Sequence, residues 1–85
     1  MQTLTPAERT VLRELARLAG SDRVVTGREL RDAGFAEFVA HAYRADVAYP
    51  QSLQSRKLQI LRDKGYIKMQ RHGGGTYTML AHPDD

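Results

Sequence analysis

Gln51, Ser52, Ser55, Arg56, Gln59 and Arg62 recur along one short stretch, "PQSLQSRKLQILRDKG". At about 100° per residue, Ser55, Arg56, Gln59, Arg62 and Asp63 fill one side of a helix. Leu53, Leu58, Ile60 and Leu61 spread over the other, with Lys57 lying near their middle as an aliphatic stem. Serine, arginine and glutamine are the side chains that bond base edges and phosphates. A helix merely exposed to water favours Glu and Lys in its first turn, whereas this one opens on Gln51, Ser52 and Gln54. The chemistry indicated is recognition of a polar, anionic partner.

The segment that follows, "YIKMQRHGGGTYTML", extends the same chemistry. Lys68 and Arg71 add positive charge, and Arg71 and His72 flank a run of three glycines, Gly73 to Gly75. Glycine lets a backbone approach a partner where a side chain would clash, so the amide of Gly74 is a candidate phosphate contact. From Gln51 to His82, six basic residues (Arg56, Lys57, Arg62, Lys64, Lys68 and Arg71) stand against one acid, Asp63. The whole chain carries only +3. Basic charge gathered in one region is the electrostatic footprint of a nucleic-acid binder.

Catalytic chemistry finds little support. There is no cysteine, hence no thiol nucleophile, disulfide or thiolate metal site. The three histidines, His41, His72 and His82, are scattered without the spacing of a metal centre. No catalytic residue, metal or cofactor is expected. The longest apolar runs are too short for a membrane span or a signal peptide, and a cytoplasmic, prokaryotic protein is the expectation.

The elements that must position these residues are well marked. "LTPAERTVLRELARLAG" predicts a helix, with Thr5 as N-cap, Pro6 at the first helical position, and Glu8 closing a capping box. Val11, Leu12, Leu15, Leu18 and Ala19 give it one apolar face, and Gly20 a stop. Arg23 to Val25 reads as a short extended piece, and Thr26 with Glu29 as a second capping box opening a two-turn helix that ends near Gly34. "FAEFVAHAYRADVAYP" predicts a third helix, with Phe35, Phe38, Val39, Ala42 and Ala45 on its inner face and a turn at Pro50. The polar helix is expected over about 52–64, ending at Gly65. A hairpin is expected over about 66–80, with Ile67, Met69, Tyr77 and Met79 on the core side.

Eighty-five residues make one domain, taken as 1–82 with a frayed tail at 83–85. The fold class is mainly α with a small β-hairpin, in the order of a winged helix-turn-helix with an extra helix or long turn inside it. The candidate DNA-binding set is Tyr49, Gln51, Ser52, Gln54, Ser55, Arg56, Gln59, Arg62, Lys64, Lys68, Arg71, His72 and Gly74. Within it, Arg62, Lys64, Lys68 and Arg71 are assigned to phosphates, and Ser52, Ser55, Arg56 and Gln59 to the floor of the major groove. Alternatives are a small transcription regulator reading an unmethylated operator and a winged helix used for protein–protein contact.

The segments "LQILRDKGYIKM" and "GGGTYTML" resemble the C-terminal winged-helix domain of DpnI-like methyl-directed restriction endonucleases and Dam-replacing proteins. Leu58, Gln59, Leu61, Arg62, Asp63, Lys64, Gly65, Ile67 and Tyr77 carry the resemblance, and "AYRADVAYP" is similar to the family's aromatic segment ending in Tyr-Pro. The likeness spans about 35–80. The family usually has a longer stretch after Tyr-Pro, with Ile-Arg-Gln-Gln where this chain has "SLQSRK", and its catalytic PD-(D/E)XK segment is missing here. The resemblance implies a specificity module for N6-methyladenine in double-stranded DNA, as in GATC, standing alone or attached to a nuclease domain. It implies no nuclease activity of its own. Tyr49, Pro50 and the stem of Arg56 are the candidates to meet the methyl groups.

Overall fold

A computed structural model describes residues 3–46, 48–70 and 75–81. The elements run α1 (Pro6–Ala19), a 3-10 turn (Gly20–Asp22), β1 (Val24–Thr26), α2 (Gly27–Asp32), α3 (Phe35–Ala42), α4 (Pro50–Asp63), β2 (Ile67–Gln70) and β3 (Thr76–Met79). The architecture is mainly helical with one small antiparallel sheet. Among the described residues, no helix is long and apolar enough to cross a membrane.

Both capping boxes form. The Thr5 hydroxyl accepts from the Glu8 N–H at 3.2 Å, and the Thr5 N–H donates to Glu8 Oε1 at 2.7 Å. Thr26 and Glu29 repeat the arrangement at the start of α2, with both bonds at 3.1 Å. Each box satisfies two helix-end donors and starts its helix at one residue.

The core is built where the apolar stripes of α1, α3 and α4 meet one face of the sheet. Leu12, Leu15, Leu30, Phe35, Leu58, Leu61 and Ile67 are buried in it. Ile67 lies opposite Met79 and Met69 opposite Tyr77, so these four do share the core side of the hairpin. The sheet has three strands rather than two. The short extended piece joins it as β1, pairing Val24, Val25 and Thr26 with Thr78, Tyr77 and Thr76, in the order β1-β3-β2. Its sequence partner lies beyond all of α2 to α4, a pairing local patterns cannot reveal.

Two boundaries differ from expectation. α3 stops at Ala42 instead of running toward Pro50. Its end is a Schellman turn in which Arg44 takes φ 52°, the Ala45 N–H donates to the Ala40 carbonyl at 2.8 Å, and Arg44 N–H donates to His41 at 3.1 Å. α4 begins at Pro50, two residues before the expected start at 52, because proline's fixed φ suits the first helical position. At the other end Gly65, at φ 91°, closes α4 as expected, with the Tyr66 N–H reaching the Leu61 carbonyl at 3.1 Å.

One ion pair joins the two long helices. Lys64 Nζ donates to Glu8 Oε1 at 2.6 Å and to the Thr3 carbonyl at 3.1 Å, and both side chains are largely buried. Burial by itself pushes the Glu8 carboxyl up, but the Lys64 ammonium and the Thr5 donors outweigh it, holding the carboxyl below its usual range. A depressed carboxyl stabilises the fold above its unfolded value near 4.5 and loses that contribution as pH falls through its folded value. Lys64→Met, which keeps the aliphatic stem, is expected to cost about 1.5–3 kcal/mol at pH 7. The wild-type advantage over this variant should shrink on acidification below about pH 4.5, as read by urea unfolding at a series of pH values.

Candidate nucleic-acid interface

α4 turns two different faces to its surroundings. Leu53, Leu58 and Leu61 enter the core, while Gln51, Ser52, Ser55, Arg56 and Arg62 are exposed on the opposite side. Gln59 lies between them, half-buried. Tyr49, the N-cap residue, is 77% exposed at the start of the helix and makes no side-chain cap. Its ring is thus a bare aromatic surface beside Gln51 and Ser52. Lys68 is exposed on β2, which leaves the end of α4 through Gly65.

Tertiary contacts orient this helix. Its largest interface is with α3, where Lys57 Nζ stands 4.3 Å from the centre of the Tyr43 ring. Such a cation–π contact holds the lysine stem along the apolar side, as its place among the leucines requires. Tyr43 is half-buried, and its hydroxyl pKa is raised by desolvation and then by the nearby Glu8 charge.

Two of the candidate contact residues are placed elsewhere. Lys64, expected at a phosphate, instead has its ammonium bound by Glu8 and the Thr3 carbonyl. A buried carboxylate competes for it more strongly than solvent does. Gln54, expected among the DNA contacts, is buried, with 6% of its surface exposed. It falls on the same side of the helix as Leu58 and Leu61, which spacing from Ser55 alone does not disclose. Arg62 remains exposed but shares its guanidinium with Asp63, through Nε and Nη2 at 3.2 Å to Oδ1. Arg71, His72 and Gly74 lie outside the described residues.

The structure adds positive groups that spacing along α4 could not show. The N-terminal turns of α2 and α4, together with β3, line an open cleft of about 750 Å³. Its walls include Arg28 and Arg31 from α2, Gln51, Gln54 and Ser55 from α4, and Tyr77 from β3. Arg28 and Arg31 are exposed and pair with no acid among the described residues. Their signal was present in "TGRELRD": two arginines three apart on the side away from Leu30. On α1, the Arg17 guanidinium is already held by Glu14, at 2.6 and 2.8 Å.

Gln54 has one further property. Its Oε1 atom is enclosed and accepts no hydrogen bond from the described residues. An unsatisfied buried carbonyl costs about 1–3 kcal/mol. Among the described residues, no group of three metal-ligating side chains is present. Comparison with family models, with curated proteins and with solved structures finds no match for this chain.

Replacing the amide by an apolar side chain of similar shape removes the unpaired carbonyl. Gln54→Leu is expected to stabilise the fold by about 1–2 kcal/mol, measured as an upward shift of the urea midpoint at unchanged slope.

Proposed function

We propose that this chain is a double-stranded DNA-binding module of winged-helix type, with α4 as the helix that enters the major groove and the β2–β3 hairpin as the wing. The observation that carries this reading is the outer face of α4. It offers Gln51, Ser52, Ser55, Arg56 and Arg62 to solvent with Asp63 as its one acid, and it begins at an exposed tyrosine. The element order and the three-stranded antiparallel sheet are compatible with such a domain. Arg28 and Arg31 on α2 and Lys68 on β2 flank the helix and supply charge for the phosphate backbone on either side.

The finer reading is selectivity for N6-methyladenine in a GATC-like context, as the sensor of a modification-dependent restriction system. A methylated adenine that keeps its Watson–Crick pair turns the methyl toward N7. The usual two-bond contact from Gln or Asn is then blocked, and the methyl must be met by apolar or flat surface. Tyr49, Pro50 and the stem of Arg56 are the candidates to meet the methyls, and Tyr49 lies exposed at the start of α4, where recognition helices reach base edges. Burying one methyl contributes about 0.8 kcal/mol, and two in a palindrome roughly tenfold in affinity.

The test is a titration of one GATC duplex in unmethylated, hemimethylated and fully methylated forms at two salt concentrations. Affinity is expected to rise stepwise with each methyl, to about tenfold for two. Four phosphate contacts, from Arg28, Arg31, Arg62 and Lys68, should cost on the order of a hundredfold between about 50 and 200 mM salt. Tyr49→Ala should flatten the methyl preference while leaving the salt slope unchanged. Lys64→Met should also leave the slope unchanged, because its ammonium belongs to Glu8. Equal affinity for the three duplexes removes the methyl-reader reading and leaves a regulator of unmethylated DNA. Absence of binding at low salt removes DNA binding altogether.

A further inference from the structure

The end of α1, the 3-10 turn and the end of β3 line a second pocket, of about 250 Å³. Arg13, Arg17 and Arg23 stand in its lining together with the apolar Ala16, Met79 and Ala81. Backbone bonds fix its frame. The Met79 N–H donates to the Arg23 carbonyl at 2.8 Å, and the N–H groups of Leu80 and Ala81 both donate to the Tyr66 carbonyl, at 2.9 and 3.3 Å. Ala81 is 7% exposed and is the last described residue. The sequence continues as His82, Pro83, Asp84 and Asp85, so the frayed tail expected at 83–85 lies outside the described residues.

The lining sets what fits. Three guanidiniums call for anionic oxygens, and their planar fork matches a carboxylate. Glu14 already takes Arg17. Arg23 is exposed and pairs with no acid among the described residues. The volume lies below the roughly 300–1,000 Å³ of small-molecule sites and suits side chains better than a separate ligand. Asp84 is three residues beyond Ala81, so the two Cα atoms stay within about 11 Å of each other. So short a tether keeps a carboxylate near the arginines at an effective concentration on the order of millimolar. Pro83 restricts the connecting backbone and so reduces the freedom that docking must remove. We propose that the acidic segment after Ala81 docks in this pocket, with the carboxylates of Asp84 and Asp85 against Arg13 and Arg23. Docking gives the cluster an internal anion, which competes with any external polyanion for the same guanidiniums. The inference does not rest on DNA binding by α4.

Nitrogen-15 relaxation of the whole chain at low salt reads the docking directly. The Asp84 amide is expected to show an order parameter near that of rigid backbone, about 0.8. In the variant carrying Arg13→Gln and Arg23→Gln it should fall below about 0.6. Both arginines are exposed, so these changes leave the core intact. Inorganic pyrophosphate supplies a second reading, titrated into the wild type and into a chain carrying Asp84→Asn and Asp85→Asn, neither of them a core residue. Shifts at the Arg13, Arg23 and Ala81 amides should report binding about tenfold tighter to the neutralised chain, as for a pocket that its own tail leaves open about a tenth of the time. Order at Asp84 that depends on the arginines, together with that gain, upholds the docking. An Asp84 order parameter below about 0.6 in the wild type overturns it. So does order unchanged by the arginine substitutions, or no gain in pyrophosphate affinity when the two aspartates are neutralised.

Discussion

The Glu8–Lys64 pair ties the first turn of α1 to the last turn of α4, two points separated by most of the chain. Glu8 is committed three times over: it caps α1 through Thr5, accepts the Lys64 ammonium, and raises the cost of ionising Tyr43. Tyr43 in turn lies under Lys57 in the middle of α4. A single carboxylate thus sits at the junction of α1, the end of α3 and both the middle and the end of α4. The pitch of α4 against the core is set there, and with it the direction in which Gln51, Ser55, Arg56 and Arg62 face outward.

The basic residues divide accordingly. Lys57 and Lys64 hold the helices together, and Arg17 is bound to its neighbour Glu14. Arg28, Arg31, Arg56 and Lys68 are exposed and pair with no acid among the described residues. A formal charge count treats these two groups alike. An anionic partner does not, because an ammonium already desolvated against a carboxylate contributes little to attraction at a distance.

Much of the fold was legible in local chemistry. The Thr5/Glu8 and Thr26/Glu29 boxes, Gly65 and the alternation of Ile67, Met69, Tyr77 and Met79 each encode structure within a few residues, and each formed as read. What was not legible depends on distant residues. The pairing of β1 with β3 and the partner of Lys64 are matters of tertiary contact. The early end of α3 rests on Arg44 adopting a left-handed conformation that composition does not announce. In the candidate interface, helical spacing separated Leu58 from Ser55, but the polar type of Gln54 concealed its place on the buried side with Leu58 and Leu61. The α2 arginines lie outside the charge-dense C-terminal half, and only tertiary packing brings them beside α4.

The pairing of β1 with β3 also bears on how the molecule assembles. β1 precedes α2, α3 and α4, and its hydrogen-bonding neighbour follows all three. Closing so large a loop carries an entropic cost that local contacts do not repay. The helices can dock on one another through short-range contacts, whereas the sheet closes late, once β3 has been laid beside β2. Until then Val24 and Val25 present an unpaired strand edge, the kind of surface through which chains associate. Because the sheet closes late, variants that weaken β3 should speed unfolding far more than they slow folding.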